Sequence, residues 1–275
     1  MGVGVMKYLS AILTVLLFTL GAQATLADDI TFIDQCGVSS SANNETLIVT
    51  SDIQGSGYCI DILHENVTLD CQGYVLLAQP SGTSGIYISD EAHYVTVRNC
   101  ILDFWFFGIS SKGGWGLIEH NEIINGGFGM TFSGDGNEIR HNKIMGGGWV
   151  GMDFYSNSDN NLIHHNSVHD KQGGMFIRHS SSNDISHNII IGNSGVGILL
   201  DDESISNSVI KNKSIHNGLA GIRIQESYEN LVADNVANKN AIGIEETGEE
   251  LDNTYEDNVC KANETVDSNI DGACK

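Results

Sequence analysis

Apolar and polar residues alternate in short runs from residue 85 to residue 260, and the runs repeat at a nearly constant interval. A clear copy reads glycine, apolar, any residue, apolar, then a polar turn and the pattern N-x-I-x-H-N-x-I, as from Gly129 to Ile144. The leading glycines lie at positions 85, 108, 129, 151, 174, 197, 221 and 243, which are 21 to 24 residues apart. A repeat this regular predicts a stacked array of similar structural units.

The alternation within each copy indicates strands, because successive side chains of a strand point to opposite faces. The Asn and Gly density and the β-branched residues exclude helical repeats of similar period. Strands this short cannot pair within one copy, so we expect them to pair in parallel with the next copy, about 4.8 Å away. The pattern predicts an all-β chain, a right-handed parallel β-helix of about eight to nine three-strand rungs with terminal caps.

Two columns of asparagine recur at fixed places in the copies. The first column contains Asn137, Asn161, Asn183, Asn207, Asn230 and Asn253, and the second contains Asn121, Asn142, Asn166, Asn188, Asn212, Asn235 and Asn258. Asparagine tolerates the left-handed backbone conformation of a tight bend, and stacked amides hydrogen-bond to one another. We therefore expect these asparagines to take the left-handed conformation at the bends and to form ladders along the array.

The chain is predicted to be a single domain preceded by a targeting segment. Residues 1–24 are typical of a secretory signal peptide, with an apolar run from Leu9 to Leu20 and the small-residue site Ala22-Gln23-Ala24. Residues 25–57 are expected to form an N-terminal cap, residues 58–260 the β-helix, and residues 261–275 a C-terminal cap. With no other candidate membrane span in the sequence, we predict an exported protein that is periplasmic, cell-surface or extracellular.

Six cysteines in an exported chain are typical of three disulfides. Four lie in the N-terminal third and two near the end, and distance along a rod disfavours most of the formal pairings. We predict the pairs Cys36–Cys59, Cys71–Cys100 and Cys260–Cys274, which would staple the two ends of the rod.

The amino-acid composition and net charge limit the type of core and the classes of partner that can be expected. The chain has 32 Gly, one Pro and 7% aromatic residues, which favours a long thin core of Ile, Val and Leu. The formal net charge of −22 argues against a nucleic-acid or anionic-membrane partner. We expect a monomer.

The stretch Asn66-Val67-Thr68-Leu69-Asp70-Cys71-Gln72-Gly73, followed by G-I-x-I and V-T-V-R-N-C, resembles the β-helix repeat proteins related to the periplasmic NosD protein, in the wider pectate-lyase-like superfamily. The resemblance covers about Cys36 to Cys260 and is carried by structural residues. It implies a right-handed β-helix. It also implies two classes of function, polysaccharide processing and the copper-site maturation associated with NosD.

The resemblance further implies a substrate that lies across the strand beginning with each repeat glycine. We predict substrate contacts from the polar and aromatic outward residues of the middle and late rungs, namely Asp153, Tyr155, Phe176, Arg178, His179 and Arg223. Asp201, Asp202 and Glu226 are the candidate catalytic carboxylates. Asp202 and Glu226 are expected about 5 Å apart on successive rungs, as in a retaining glycosidase. The alternative is a surface of cross-rung ion pairs without catalytic function.

Family signatures leave open whether the chain is an enzyme. Asp201-Asp202 and Arg223-Ile224-Gln225 resemble parts of the polygalacturonase motifs, but G-H-G and the D-P-H-D motif of alginate epimerases are absent from the sequence. An enzyme with these residues would be a polysaccharide hydrolase or lyase. Aromatic residues fall in the turns just before repeat glycines on the same face, namely Phe104-Trp105-Phe106-Phe107, Phe128 and Trp149. They would stack on sugar rings, plug the rod or pack beneath a loop.

One histidine slot recurs in four successive rungs and is occupied by His120, His141, His165 and His187. Imidazoles about 4.8 Å apart can converge on copper or zinc, or can stack as a ladder that stiffens the turn. Copper or zinc at this column is a candidate cofactor, and the resemblance to pectate lyases adds calcium, which would bind clustered Asp side chains. The sequence leaves three hypotheses: an exported protein that binds and processes polysaccharide, a NosD-like copper-handling accessory protein, and a non-catalytic structural protein of the envelope.

Overall fold

The computed structural model describes residues 29–249 and 252–275, within which the chain forms strands and turns and no helix. The predicted signal peptide lies outside these residues, and no helix among them is long and apolar enough to cross a membrane. The strands are β1 (Asp29–Ile33), β2 (Val38–Ser39), β3 (Glu45–Val49), β4 (Ile53–Ile62), β5 (Thr68–Asp70), β6 (Val75–Ile88), β7 (Thr96–Arg98), β8 (Ile101–Asp103), β9 (Phe107–Ser111), β10 (Leu117–Glu119), β11 (Glu122–Ile124), β12 (Phe128–Phe132), β13 (Glu138–Arg140), β14 (Lys143–Met145), β15 (Val150–Phe154), β16 (Leu162–His164), β17 (Ser167–His169), β18 (Gly173–Arg178), β19 (Asp184–Ser186), β20 (Ile189–Ile191), β21 (Ile198–Asp201), β22 (Ser208–Ile210), β23 (Lys213–Ile215), β24 (Ala220–Gln225), β25 (Leu231–Ala233), β26 (Ile242–Thr247), β27 (Thr254–Glu256) and β28 (Val266–Ser268).

Each strand pairs in parallel with its equivalent one turn later, so the strands stack into three faces. The first face is the sheet β1-β3-β5-β7-β10-β13-β16-β19-β22-β25-β27. The second face runs from the beginning of β4 through the beginning of β6, β8, β11, β14, β17, β20 and β23. The third face runs from β2 through the end of β4, the end of β6, β9, β12, β15, β18, β21, β24, β26 and β28. The fold is the predicted right-handed parallel β-helix, with about ten turns.

The stack extends beyond the predicted limits of the β-helix. The segment predicted to be a cap already contributes to the stack, because β1 and β3 belong to the first face, β2 to the third and the beginning of β4 to the second. Strand β28 pairs with β26, so part of the predicted C-terminal cap joins the third face. These segments lack the leading glycine and the asparagine pattern, which is why the repeat did not reveal them.

The asparagine ladders form as predicted, but the asparagines do not make the bends. The backbone and amide nitrogens of Asn166 both donate to Oδ1 of Asn188, at 2.9 and 3.1 Å. Asn188 donates in the same way to Asn212. The left-handed conformation belongs to the residue before each asparagine, as at His165 and His187, both with φ of 57°. The prediction that the asparagines themselves take the left-handed conformation was therefore wrong. The asparagine side chain must point inward to hydrogen-bond to the asparagine of the next turn.

A third ladder was not predicted from the sequence. It consists of Asn193, Asn217 and Asn240 and ends in Asn263. Lys171 occupies the equivalent place one turn earlier, where its backbone nitrogen donates to Oδ1 of Asn193 at 3.0 Å. All three bends of the β-helix are therefore lined by buried amides over much of its length.

The repeat glycines are required by the close approach of successive turns. A Cβ atom on Gly174 would lie 2.3 Å from the carbonyl oxygen of Gly197 and 2.4 Å from Cγ2 of Ile190. Both contacts are far shorter than a side chain tolerates, so any larger residue would push the turns apart.

All three predicted disulfides are confirmed. Cys36 and Cys59 have Cα atoms 4.2 Å apart, Cys71 and Cys100 4.7 Å, and Cys260 and Cys274 5.5 Å. The bonds connect the first turns to one another and fasten the last turn to the C-terminal segment.

Candidate functional site

One row of outward side chains runs along the third face from its second strand to its last turns. The strand register aligns Asp61, Tyr87, Ser110, Thr131, Asp153, Phe176, Leu199, Arg223 and Glu245. Three of the predicted substrate contacts, Asp153, Phe176 and Arg223, belong to this row. The side chains in this row differ in size, polarity and charge, and these differences decide where the face can hold a ligand.

The strongest charge contact on the face joins Asp153 and Arg178. Nε of Arg178 donates to Oδ1 of Asp153 at 3.0 Å, and Nη2 donates to Oδ2 at 2.5 Å. Asp153 is buried, with 3% of its surface exposed, whereas 41% of the Arg178 side chain is exposed. Burial raises the pKa of the Asp153 carboxyl, and the hydrogen bond and charge of Arg178 oppose that rise. The pair therefore presents its cationic partner to the solvent.

An aromatic wall stands beside this pair. The rings of Phe107 and Phe128 are stacked with their centroids 5.4 Å apart, because these two residues are register partners on β9 and β12. Trp149 meets Phe128 edge-on at 5.2 Å and Phe106 at 5.3 Å. Phe106 is 40% and Trp149 48% exposed, so the wall leaves large apolar surfaces in contact with water.

The wall and the ion pair enclose a cleft of about 210 Å³. Its lining consists of Phe107, Phe128, Thr131, Asp153, Tyr155 and Arg178. Three of these residues, Asp153, Tyr155 and Arg178, are among the predicted substrate contacts. A concave site that combines aromatic surfaces with a few converging polar groups is typical of small-molecule and sugar recognition.

The other predicted substrate contacts lie outside the cleft. Phe176 packs against a separate apolar cluster of Val196, Leu199 and Ala220. Arg223 donates from Nε to Oε2 of Glu245 at 2.6 Å. His179 lies in an exposed turn after β18. The polar row is thus interrupted by an apolar segment one turn beyond Asp153.

The candidate catalytic carboxylates lie at the end of the third face, just beyond its late strands. Asp201 is the last residue of β21, and Asp202 and Glu226 lie in the turns that follow β21 and β24. Leu200 is the register partner of Ile224, and the same register continued into the turn places Asp202 opposite Glu226. Oδ1 of Asp201 accepts the backbone N–H of Asp202 at 2.9 Å. The backbone nitrogen of Glu203 donates to the carbonyl oxygen of Glu226 at 3.0 Å, so Glu203 is a further acidic residue of this turn that the sequence did not single out. A catalytic role for these carboxylates stays a prediction.

The histidine column forms a stack of rings. Ring centroids are 5.1 Å apart for His120 and His141, 5.2 Å for His141 and His165, and 5.1 Å for His165 and His187. Desolvation and the neighbouring histidines lower the pKa of His165. In residues 29–249 and 252–275, no group of three or more His, Cys, Asp or Glu side chains is arranged to hold a metal ion.

A pair of ring nitrogens beside the stack was not predicted. Nδ1 of His164 lies 2.9 Å from Nδ1 of His165, and Nε2 of His164 lies 3.2 Å from Oε1 of Glu138. These two histidines are adjacent in sequence, and the left-handed conformation of His165 turns its ring toward His164.

Two further buried polar groups could not be predicted from the sequence, because no motif marks them. Oδ1 of Asp61 is buried and has no hydrogen-bond partner, the only such side-chain atom among the described residues. Lys171 is 2% exposed, and its Nζ donates to the carbonyl oxygen of Gly126 at 2.7 Å. Burial lowers the pKa of Lys171 to about 8.

Comparison with known proteins identifies the fold. Residues 84–218 match the family model described as a right handed beta helix region. No curated protein sequence matches the chain.

Several solved structures share the architecture at low sequence identity. The Dettilon tailspike protein is 15% identical with a TM-score of 0.65, over 85% of this chain and 54% of that protein. The mannuronan C-5 epimerase A-module of Azotobacter vinelandii is 13% identical with a TM-score of 0.63, over 90% and 89%. The tailspike of an Escherichia coli bacteriophage, solved in complex with a pentasaccharide, is 11% identical with a TM-score of 0.63, over 90% and 56%. The chain spans about half the length of the two tailspikes.

Proposed function

Because the chain is a right-handed parallel β-helix protein, we propose that it binds an acidic polysaccharide on its third face, in the cleft between the aromatic wall and Arg178. The observation that carries the proposal is the juxtaposition of the stacked Phe107 and Phe128 with the exposed guanidinium of Arg178. Sugar rings stack on aromatic faces, and a guanidinium pairs with the carboxylate of a uronate.

The charge arrangement favours a uronate over a neutral sugar. Asp153 is buried and already accepts two hydrogen bonds from Arg178, so the guanidinium is oriented while part of it stays exposed. The formal net charge of −22 repels a polyanion elsewhere on the surface, so recognition requires a local cation. Structural neighbours support the class of ligand, since a mannuronan C-5 epimerase module and a tailspike in complex with a pentasaccharide share the fold.

Export is part of the proposal. The three disulfides require an oxidising compartment, and the predicted signal peptide would deliver the chain there. Polysaccharide outside the cytoplasm would then be the accessible ligand.

The test is a glycan array followed by calorimetric titration of any uronan that binds. We expect binding to uronate-containing glycans, and Arg178→Gln should weaken it about tenfold or more, because a charge-assisted hydrogen bond contributes about 1.5–3 kcal/mol. Phe128→Ala should weaken it by removing the stacking surface. Arg98→Gln is the matched control, since Arg98 pairs with Asp70 on another face. An array without any uronan signal, or equal losses in all three variants, would contradict the proposal.

Catalysis on the bound glycan is a separate proposal. Asp201 at the end of β21, and Asp202 and Glu226 in the turns that follow, do not line the cleft, whereas Asp153 lies within it and has a raised pKa. Reducing-end release and unsaturated-product absorbance would detect hydrolase and lyase activity. If activity is present, Asp153→Asn and a triple Ala replacement of Asp201, Asp202 and Glu226 would show which carboxylates it requires.

Copper handling is the second candidate function, and the His164–His165 pair favours it. The two Nδ1 atoms are close enough to ligate one ion, and Glu138 contacts the other nitrogen of His164, as outer carboxylates do at many metal sites. Calorimetric titration with Cu²⁺ should show binding that His165→Ala removes. Affinity weaker than micromolar in the unmodified protein would eliminate this candidate.

A further inference from the structure

A second candidate contact for a ligand lies on the same face, toward the N-terminal end. Asp61 points outward from β4 between the buried Ile60 and Ile62. Its Oδ1 is buried without a hydrogen-bond partner, and desolvation raises the pKa of the carboxyl. Buried acceptors in folded proteins are almost always paired, so an orphaned one requires an explanation, and a ligand that supplies the donor is one.

The surroundings of Asp61 are those of a sugar-binding subsite. Tyr87 is its register partner on the next turn, and the ring of Tyr58 lies 5.4 Å from the ring of Tyr87 at an angle of 52°. Nζ of Lys112 lies 5.9 Å from the centroid of the Tyr87 ring. Tyr58 is 47% exposed. Two aromatic rings, a carboxylate and an ammonium group therefore meet at one place on the surface.

This cluster and the cleft belong to one row. Asp61, Tyr87, Ser110, Thr131 and Asp153 are successive register partners, so four steps of about 4.8 Å place Asp61 roughly 19 Å from Asp153 along the rod. The residues between are the small hydroxyl side chains of Ser110 and Thr131, which leave the path open and offer hydrogen bonds. An extended glycan lying along the row would reach both places.

We propose that Asp61, Tyr58, Tyr87 and Lys112 form a distal subsite for a hydroxyl-bearing sugar unit of the polysaccharide whose uronate unit occupies the cleft. A sugar hydroxyl donates to Oδ1 of Asp61, and the tyrosine rings cover the apolar face of the sugar. The inference rests on the proposed function, because it assigns a second contact to the same ligand.

A graded series of uronate oligosaccharides, from disaccharide to octasaccharide, separates the two claims. In the unmodified protein, affinity should rise with length until the chain spans both places and should then level off. Tyr87→Ala should leave disaccharide binding unchanged and weaken octasaccharide binding about tenfold, because only the longer chain reaches the distal subsite. Absence of all binding would overturn the proposed function, whereas binding without a gain from length would overturn only the distal subsite.

Asp61→Leu provides a readout that a purely structural role would not produce. Replacing a half-buried carboxylate, whose Oδ1 is buried and unpaired, by an apolar side chain of similar size should raise the urea midpoint while it weakens octasaccharide binding. A variant that loses stability, or that gains stability and still binds the octasaccharide fully, would contradict the assignment.

Discussion

Arg178 donates two hydrogen bonds to Asp153, one turn earlier on the third face, although its register partner is Asp201. Arg178 pairs with its diagonal neighbour Asp153 because the carboxylates of Asp153 and Asp201 have different surroundings. Asp153 is covered on its own turn and needs a partner, whereas Asp201 accepts a backbone N–H from Asp202 and lies closer to solvent. The result is a cation held in place at the mouth of the aromatic cleft.

Breaking this pair should cost stability in a pH-dependent way. Arg178→Met leaves the buried Asp153 carboxylate unpaired, so we expect a loss of about 1–3 kcal/mol at neutral pH. The pKa of Asp153 is already raised in the folded protein, and removal of Arg178 raises it further. A raised carboxyl pKa means that the folded state binds the proton more readily, so stability falls as pH rises from about 4 through the folded pKa.

Urea unfolding of the variant and the parent protein at a series of pH values checks this prediction. The deficit of the variant should shrink at acid pH, where the carboxyl is protonated. Arg98→Met, which breaks an exposed pair, should cost less than about 1 kcal/mol. A deficit independent of pH would contradict the assignment of Asp153 as the source.

The interior amide ladder should be far less tolerant than a surface asparagine. Asn188→Ala removes the donor to Ile163 at 2.7 Å and to Asn212, and it deprives Asn166 of its acceptor. Each buried group left unpaired costs about 1–3 kcal/mol, so we expect a loss of at least about 3 kcal/mol. Asn43→Ala removes one exposed hydrogen bond, which the Asn43 Oδ1 accepts from the backbone nitrogen of Glu65 at 3.1 Å, and should cost about 1 kcal/mol or less. Comparable losses for both variants, measured by urea unfolding, would refute the ladder as a major source of stability.

The repeat glycines should not tolerate the addition of even one methyl group. Gly174→Ala would place Cβ against the carbonyl oxygen of Gly197, a backbone atom that cannot move without separating the turns. We expect a destabilisation of at least about 2 kcal/mol, visible as a lower midpoint in thermal unfolding. Gly73→Asn is the control, since Gly73 has open space around it and a φ of 84° that asparagine can adopt. An unchanged midpoint in Gly174→Ala would show that the turns can separate freely.

The buried amine of Lys171 should make alkaline pH stabilising. Its pKa is about 8 in the folded protein and about 10.4 when unfolded, so between these values the unfolded chain binds more protons. The penalty for burying the charge is complete below pH 8 and is relieved as pH rises toward 10.4. Relative to Lys171→Met, the parent protein should therefore gain stability across this window. Lys143→Met, at an exposed lysine, should show no such trend, and parallel curves for Lys171→Met would contradict the prediction.

The features of the fold that repeat from turn to turn could be predicted from the sequence. The glycine interval and the apolar alternation of Ile139, Ile163 and Ile185 predicted the strands and their stacking, because every turn faces the same constraint. The disulfides followed from the position of the cysteines along a rod. By contrast, the left-handed residues were assigned to the asparagines, one position too late, since the pattern alone does not say which side chain points inward.

The site depends on features that do not repeat, and these were only partly predictable. The predicted substrate contacts include Asp153, Tyr155 and Arg178, and the structure brings these three together in one cleft because register follows from the repeat. Which acid Arg178 contacts depends on packing between turns, which the column does not encode. Asp61 lies in a segment whose repeat is too irregular to align, and its pairing with β6 shifts register at Gly57.

The most direct test of the central claim is a fluorescence titration with uronate oligosaccharides. The chain has three tryptophans: Trp105 is buried, Trp115 is exposed at a different turn, and Trp149 borders the cleft at 5.2 Å from Phe128. We predict a saturable change in emission that disappears in Trp149→Phe, persists in Trp115→Phe and requires a higher ligand concentration in Arg178→Gln. Saturable binding whose signal survives in Trp149→Phe and whose affinity is unchanged in Arg178→Gln would place the glycan elsewhere and contradict the account.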